Sequence, residues 1–398
     1  MADNPGIKLK KYPISERATR LSPSGIRRFF DLLASTEGVI SLGVGEPDYS
    51  TPWHISEAAI KSLEKGYTMY TSNSGVPELR QELSRYLNSD YGIAYDPDNE
   101  LLITVGSSEA LDLAMRAILN PGDEVIMPDP CYVAYESCVI MAGGNPVKIP
   151  TRQDNNFEIC AADIEERITP ATRAILIGFP ANPTGAVMSR EKLAEIADVI
   201  RRNDLLVISD EIYAKLVYDT EHTCFATLPG MKEHTILLGG FSKAYAMTGW
   251  RIGYAAAPAE IAATMTKIHQ YTMMCASTMA QVAALEALRS GDSSVREMVD
   301  DYNKRRKVIL RGFADIGISC FEPRGAFYAF PSIKSTGMTS GEFAENLLTE
   351  EKVAVVPGSA FGDYGEGYVR CCYATSMANI REALSRMKRF VNKYTQED

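Results

Sequence analysis

The sequence predicts an α/β protein with a large domain, built on a mostly parallel seven-stranded sheet flanked by helices, and a smaller α/β domain. Seven short apolar runs alternate with helical patterns between residues 101 and 290. Strands buried on both faces and separated by helices are typical of parallel sheets. From about residue 293 a long charged helical segment changes the pattern. We therefore expect a large domain over 46–292, a small domain over 293–398, and an N-terminal segment over 1–45 that packs with the small domain.

The individual elements follow from β-rich apolar runs and from helical periodicity. The predicted strands of the sheet are 101–105, 124–127, 146–149, 174–177, 205–209, 235–238 and 251–256. The predicted helices of the large domain are 107–119, 132–142, 191–202 and 279–290. The small domain is predicted to contain a helix at 294–313, a strand at 326–330, a helix near 340–349, a strand at 368–373 and a closing helix from 377. Ligands of such sheets bind at the carboxyl ends of the strands, so the polar turns after the strands are candidates for chemistry.

Charge and residue spacing exclude several classes of protein. The net charge of −10 argues against a nucleic-acid partner, which would usually require a basic face. The first twenty residues contain no apolar stretch of signal-peptide length, and no run approaches a bilayer span. We therefore expect a cytoplasmic protein with no membrane partner. The histidines and cysteines lack the spacing of metal ligands, so we also expect no metal.

The most distinctive local pattern is the segment 240–253, which follows a predicted strand and contains Lys243 and Arg251. Small residues flank Lys243, and covalent chemistry requires that a cofactor approach closely and that the amine lose its proton. Arg251 could pair with a phosphate. The alternative is a surface lysine in a turn together with a structural arginine.

Three further polar turns follow predicted strands. Asp210 could bind a ring nitrogen, a metal or the N-terminus of a helix, and the last of these needs no function. Asn182 belongs to a turn by composition, but its amide could still point into a site. Ser107 and Ser108 join a strand to a helix, where free N–H groups and hydroxyls bind phosphate, although a plain N-cap would look the same.

Together and in this order, the motifs resemble those of the class I aminotransferases of pyridoxal-phosphate (PLP) fold-type I, over nearly the whole chain. The resemblance implies that PLP is the cofactor and that an amino group moves between an L-amino acid and 2-oxoglutarate by a ping-pong mechanism. It implies that Lys243 holds PLP as a Schiff base and moves a substrate proton. Asp210 would keep the pyridine nitrogen protonated, while Tyr213 and Asn182 would bond to the 3′ oxygen.

The same resemblance implies roles for the remaining candidate residues. Ser107 and Ser108 match the turn that binds the phosphate, and Arg251 matches its counter-charge. Ser242 contributes a further hydroxyl there, and Tyr132 matches the aromatic residue that stacks on the cofactor ring.

Three positions are implied to bind the substrate or to complete the site from a second subunit. Tyr70 matches a tyrosine that reaches the phosphate of the neighbouring subunit, which implies a homodimer; the alternative is a buried aromatic residue. Arg370 matches the arginine that binds the substrate α-carboxylate, and the backbone of Gly45 would complete that contact. The alternative for Arg370 is a structural ion pair.

The side-chain specificity is less well defined by the sequence. Stretches at 105–110, 269–277 and 357–368 resemble the bacterial branch that acts on N-acetyl-diaminopimelate, which lies close to the aromatic amino-acid aminotransferases. Dicarboxylate-specific members often place a lysine in the phosphate turn, and this chain has none there. Glu109 would repel a second carboxylate if it faced the site. The candidate substrates are therefore N-acetyl-diaminopimelate, an aromatic amino acid and aspartate.

Two hypotheses concern the missing cation and the type of reaction. Arg27 or Arg28 could bind the second carboxylate of 2-oxoglutarate, and the alternative is a solvated helix face. A PLP-dependent lyase of the same fold, of the cysteine-sulfur lyase type, would share the same four residues, namely Lys243, Asp210, Tyr213 and Asn182. A non-catalytic regulator with a PLP-type fold is a more remote alternative, because such proteins have an appended DNA-binding module and this chain is acidic.

Overall fold

The computed structural model describes residues 13–21 and 37–395 of the chain. The strands are β1 (Ile40–Ser41), β2 (Leu101–Thr104), β3 (Glu124–Asp129), β4 (Asn145–Pro150), β5 (Thr172–Ile177), β6 (Leu206–Asp210), β7 (Thr235–Gly240), β8 (Gly253–Ala256), β9 (Tyr328–Ala329), β10 (Val353–Ala354), β11 (Val356–Pro357) and β12 (Val369–Cys372). The α-helices are α1 (Glu16–Thr19), α2 (Trp53–Glu64), α3 (Pro77–Tyr91), α4 (Gly106–Ile118), α5 (Ala134–Ala142), α6 (Ala161–Glu165), α7 (Arg190–Asn203), α8 (Ala259–Thr272), α9 (Thr278–Ser290), α10 (Asp292–Ile316), α11 (Ser340–Glu351) and α12 (Met377–Thr395).

Seven strands form one large sheet in the order β2-β8-β7-β6-β5-β3-β4. Every neighbouring pair is parallel except the two that involve β8. The predicted mostly parallel seven-stranded sheet is therefore confirmed. Because β8 runs opposite to the other six strands, it begins at the edge where they end.

Both faces of this sheet are buried, which explains why its strands consist almost entirely of apolar residues. In β5, Ala174 and Leu176 pack into one apolar cluster, while Ile175 and Ile177 pack into a second cluster. Successive side chains of a strand point to opposite faces, so every strand of the sheet except the edge strand β4 contributes to both clusters. The first cluster lies against α4, α5 and α8. The second is continuous with the core of the C-terminal elements.

The C-terminal elements surround a small antiparallel sheet in the order β11-β12-β9. Helix α11 begins with a capping box, in which the Thr339 side chain and the Glu342 side chain each accept a hydrogen bond from the other residue's backbone N–H. Strand β1 pairs in parallel with β10, so residues 40–41 join the C-terminal elements by backbone hydrogen bonds. The domain boundaries themselves stay a prediction.

Four predicted strands are shorter in the structure than the sequence indicates, namely those at 101–105, 251–256, 326–330 and 368–373. The strand predicted at 251–256 begins at Gly253, and the strand predicted at 326–330 is reduced to β9. Arg251 and Ala326 have φ angles of +51° and +55°, in the left-handed region, so neither residue can continue an extended strand. Helices α2, α3, α6 and α8 lie in stretches for which no element was predicted.

Three further points concern membrane-spanning helices, metal sites and the two N-terminal arginines. Within the ranges 13–21 and 37–395, no helix is long and apolar enough to cross a membrane. In the same ranges, no group of three or more His, Cys, Asp or Glu residues is placed to hold a metal ion. Arg27 and Arg28 lie outside the described residues.

Candidate active site

A cavity of about 400 Å³ lies at the edge of the large sheet where six of its strands end. Every predicted site residue except Tyr70 lines this cavity, although these residues come from widely separated parts of the sequence. They are Gly45, Ser107, Ser108, Tyr132, Asn182, Asp210, Tyr213, Ser242, Lys243, Arg251 and Arg370. The geometry therefore brings the predicted residues together, while their individual roles stay predictions.

Lys243 lies in the turn that follows β7. Its Nζ donates a hydrogen bond to the carbonyl oxygen of Gly45 at 2.6 Å. Burial lowers the pKa of Lys243 to about 8, because an ammonium group loses hydration there. Near neutral pH, more of the Lys243 amine is therefore in its neutral, nucleophilic form than is the case for an ordinary lysine.

Asp210 is the last residue of β6 and is almost completely buried. One carboxylate oxygen accepts a hydrogen bond from the Tyr135 hydroxyl at 2.8 Å, and the other accepts one from the backbone N–H of Ile212 at 3.2 Å. Burial raises the pKa of Asp210 to about 6. In the part of the chain that the structure describes, no cationic side chain forms an ion pair with it. A buried carboxylate without a cation is suited to bind a protonated ring nitrogen.

Another part of the cavity, around Arg251, is cationic. Gly106 begins helix α4 with a φ of +76°, and a Cβ placed on it would lie 2.6 Å from Nη2 of Arg251, so the guanidinium lies directly against this turn. Arg251 donates to the carbonyl oxygen of Thr248 at 2.9 Å and pairs with no carboxylate among the described residues. Ser107 and Ser108 lie in the first turn of α4. A helix N-terminus beside an unneutralised guanidinium is an anion site.

Arg370 lies in β12 with only 4% of its surface exposed. It donates to Oδ1 of Asn182 and to the carbonyl oxygen of Gly43, each at 2.8 Å. Its guanidinium lies between the rings of Tyr328 and Phe361, at 4.4 and 4.8 Å from their centroids. No carboxylate of the described residues pairs with Arg370, so the structural ion pair considered above is wrong for these residues. Its buried Nε has no partner among them either.

Two tyrosines of the cavity were not identified from the sequence. Tyr135 bonds to Asp210, and the Tyr328 hydroxyl lies 2.7 Å from that of Tyr213. Tyr135 lies three residues after Tyr132, on the same side of the turn into α5, and its ring packs edge-on against that of Tyr132 at 5.5 Å. Tyr328 was predicted only as part of a strand. Neither residue belongs to a motif that indicates chemistry.

Glu109 and Tyr70 lie away from the cavity. Glu109 bonds to Nδ1 of the buried His269 at 2.7 Å and does not face the site. Glu109 therefore does not repel a second substrate carboxylate. Tyr70 is 78% exposed, so the alternative of a buried aromatic residue is wrong for this chain. Tyr70 lies on the surface and is not among the residues that line the cavity of its own chain.

The chain is similar to known proteins over most of its length. A family model described as "Aminotransferase class I and II" matches residues 37–387. The protein named "Putative aminotransferase YugH" of Bacillus subtilis is 58% identical over 96% of this chain and 99% of its own length. An aspartate aminotransferase of Pyrococcus abyssi is 45% identical over 96% of the chain and 98% of its own length. The crystal structure of an aromatic aminotransferase from Pyrococcus horikoshii has a TM-score of 0.88 at 43% identity, and covers 92% of this chain and 99% of its own.

The lowered pKa of Lys243 predicts that this amine reacts at lower pH than other lysines. In the cofactor-free protein, trace labelling with acetic anhydride followed by mass spectrometry should show half-maximal reactivity of Lys243 at about pH 8. Below that pH the amine becomes protonated and its labelling should fall. The exposed Lys388 provides the internal reference. A Lys243 labelling profile that coincides with that of Lys388 would contradict the proposed environment.

The close approach of β8 to the phosphate turn predicts a strong effect of Gly253→Ala. A Cβ at this position would lie 2.5 Å from the backbone nitrogen of Ser107, so the turn must shift. Overpacking costs about 1–3 kcal/mol, and if this cost is expressed in cofactor binding it corresponds to a loss of PLP affinity of about fivefold or more. Gly249→Ala is the matched control, because a Cβ there meets nothing within 4 Å. Equal PLP dissociation constants for the two variants would show that the turn does not hold the phosphate.

Proposed function

Because the chain belongs to the class I and II aminotransferase family and is therefore a PLP-dependent aminotransferase, we propose that it moves an amino group between an L-amino acid and 2-oxoglutarate by a ping-pong mechanism. The observation that best supports this proposal is the placement of three groups around one cavity. They are the Lys243 amine, the buried Asp210 carboxylate and the Arg370 guanidinium without a carboxylate partner. These groups could bind the cofactor through the Lys243 amine and the Asp210 carboxylate, and the substrate carboxylate through the Arg370 guanidinium.

The described residues fit PLP at both of its ends. The ring nitrogen would meet Asp210, and the phosphate would meet Arg251 with Ser107, Ser108 and Ser242 at the start of α4 and in the turn after β7. When bound, PLP supplies an electron sink for the bonds of the substrate Cα. Each end of the cavity has the charge opposite to that of the cofactor end that it would hold, which fixes the orientation of the ring.

The remaining residues of the cavity would act on the cofactor ring and on its linkage. Lys243 would hold PLP as a Schiff base and then move the proton of the substrate Cα, for which a lowered amine pKa is suitable. Tyr213 and Asn182 would bond to the 3′ oxygen. Tyr132 would stack on the ring, an interaction worth about 0.5–1.5 kcal/mol beyond burial.

Arg370 would bind the α-carboxylate of every substrate. A guanidinium binds a carboxylate through two parallel hydrogen bonds and so orients the Cα–H bond. Its bonds to Asn182 and Gly43 fix the fork before the substrate arrives. The backbone of Gly45, which already accepts from Lys243, lies within the same cavity and would complete this contact.

The amino donor stays open among N-acetyl-diaminopimelate, an aromatic amino acid and aspartate. The basic side chains that line the cavity in the described residues are Lys243, Arg251 and Arg370, and each has a proposed partner. The second carboxylate of 2-oxoglutarate must therefore be bound by a residue outside this set. Arg27 and Arg28 stay candidates for that role.

A homodimer is also proposed, with Tyr70 completing the site of the partner subunit. Tyr70 is exposed together with other large apolar side chains from the segments 67–70 and 271–274, namely Tyr67, Met69, Tyr271, Met273 and Met274. Hydrogen bonds join the two segments, from Asn73 to the carbonyl oxygen of Met274 and from Thr278 to that of Met69. A contiguous exposed apolar surface of this kind favours burial against another subunit.

The proposed reaction predicts that an amino donor without a keto acid supports one turnover and no more. We expect stopped-flow absorbance to show conversion of the bound cofactor in a single phase with aspartate, tyrosine, glutamate or N-acetyl-diaminopimelate, and the fastest donor other than glutamate identifies the substrate. Addition of 2-oxoglutarate should reverse the change. Continuous release of ammonia, pyruvate and sulfide from cysteine in the absence of a keto acid would instead favour the lyase.

The proposed dimer predicts complementation between two inactive variants. In a hybrid of Tyr70→Ala and Lys243→Ala subunits, one of the two sites has both an intact lysine and an intact partner tyrosine. Random mixing after unfolding and refolding should therefore restore about a quarter of wild-type activity, since half of the dimers are hybrids with one complete site. Activity no higher than that of Tyr70→Ala alone would show that Tyr70 does not act across subunits.

A further inference from the structure

Tyr328 lines the cavity, and no role has been assigned to it above. It is 1% exposed, and its hydroxyl lies 2.7 Å from the Tyr213 hydroxyl and 3.4 Å from the carbonyl oxygen of Gly45. The face of its ring lies 4.4 Å from the Arg370 guanidinium. Tyr328 thus contacts both the residue proposed to bond the cofactor and the residue proposed to bind the substrate.

The hydrogen-bond capacity of Tyr213 explains why this contact matters. A tyrosine hydroxyl has one proton to donate and can accept at the same time. If Tyr213 kept its proton on the Tyr328 oxygen, it could not donate to the 3′ oxygen of the cofactor. The Tyr328 proton has two possible acceptors, the Tyr213 hydroxyl at 2.7 Å and the Gly45 carbonyl oxygen at 3.4 Å, and the shorter distance favours Tyr213. Among the described residues, the Tyr328 hydroxyl is the hydrogen-bond partner of the Tyr213 hydroxyl. Tyr135, the other tyrosine of the cavity not identified from the sequence, bonds instead to Asp210.

We propose that Tyr328 is a positioning residue, which donates its proton to Tyr213 and so directs the single Tyr213 proton toward the 3′ oxygen of PLP. The proposal rests on the proposed role of Tyr213 at the cofactor. Hydrogen bonds in such a chain polarise one another, so the bond from Tyr213 to the cofactor becomes stronger. That bond withdraws negative charge from the 3′ oxygen and weakens its attraction for a protonated imine, and so lowers the pKa of the Schiff base.

The location of Tyr328 also connects the two ends of the site. Asn182 accepts from Arg370 and is proposed to bond the 3′ oxygen from one side. Tyr328, under the same guanidinium, acts through Tyr213 from the other side. A carboxylate bound to Arg370 would therefore lie near Asn182, which is proposed to bond the 3′ oxygen directly, and near Tyr328, which acts on it through Tyr213.

The test is the pH titration of cofactor absorbance in Tyr328→Phe holoenzyme. Phenylalanine keeps the ring, which packs against Phe327 with centroids 4.9 Å apart, and removes only the hydroxyl. Loss of a bond of ordinary net strength should raise the midpoint of the titration by about half a unit or more. Activity, as kcat/KM, should fall about fivefold. An unchanged midpoint would overturn the proposal.

Tyr302→Phe is the matched control. Tyr302 belongs to the same aromatic cluster, with its ring 5.6 Å from that of Phe327, and its buried hydroxyl has no partner in the described part of the chain. Removal of this hydroxyl should leave the midpoint unchanged. A shift as large as that of Tyr328→Phe would mean that any hydroxyl lost from the cluster has the same effect, which would overturn the proposal.

A second measurement separates this inference from the function on which it rests. In a Tyr213→Phe background, Tyr328→Phe should shift the midpoint no further, because Tyr328 acts through Tyr213. Additive shifts would overturn the proposal while leaving the cofactor site intact. If wild-type protein with PLP shows no pH-dependent absorbance at all, the proposed cofactor linkage itself is wrong.

Discussion

The direction of β8 is the constraint on which the site depends. Six strands of the sheet end at one edge, and the antiparallel β8 begins there. Arg251 can therefore lie beside the turns that follow β2, β6 and β7, although it precedes its own strand. Its left-handed backbone and the absence of a side chain at Gly106 allow the guanidinium to lie directly against the start of α4.

Burial then gives the assembled groups their chemistry. The same loss of hydration raises the pKa of Asp210 and lowers that of Lys243, because it disfavours the charged form of each. Charges buried without partners destabilise a folded protein unless a ligand compensates them. Asp210 is buried and forms no ion pair among the described residues, and the exposed Arg251 pairs with no carboxylate there. A ligand with a protonated ring at one end and a phosphate at the other would compensate both.

Much of this arrangement could be predicted from the sequence, because strand patterns and the turns after them are local. Lys243, Asp210, Asn182 and Ser107 were recognised by such turns. Tyr135 and Tyr328 were not, since each acts only through a contact that the fold creates, with Asp210 and Tyr213 respectively. The two-residue strands β1, β10 and β11 are too short to show periodicity. The hydrogen bond between Glu109 and the distant His269 could likewise not be predicted from the sequence.

Lys243 is proposed to be the residue to which PLP is attached. Reduction of the holoenzyme with borohydride fixes such a linkage, and digestion followed by mass spectrometry locates it. The account predicts a phosphopyridoxyl mass on the peptide that contains Lys243 and on no other lysine peptide. The label on a different lysine, or an unlabelled Lys243 peptide in protein that shows full activity, would contradict it.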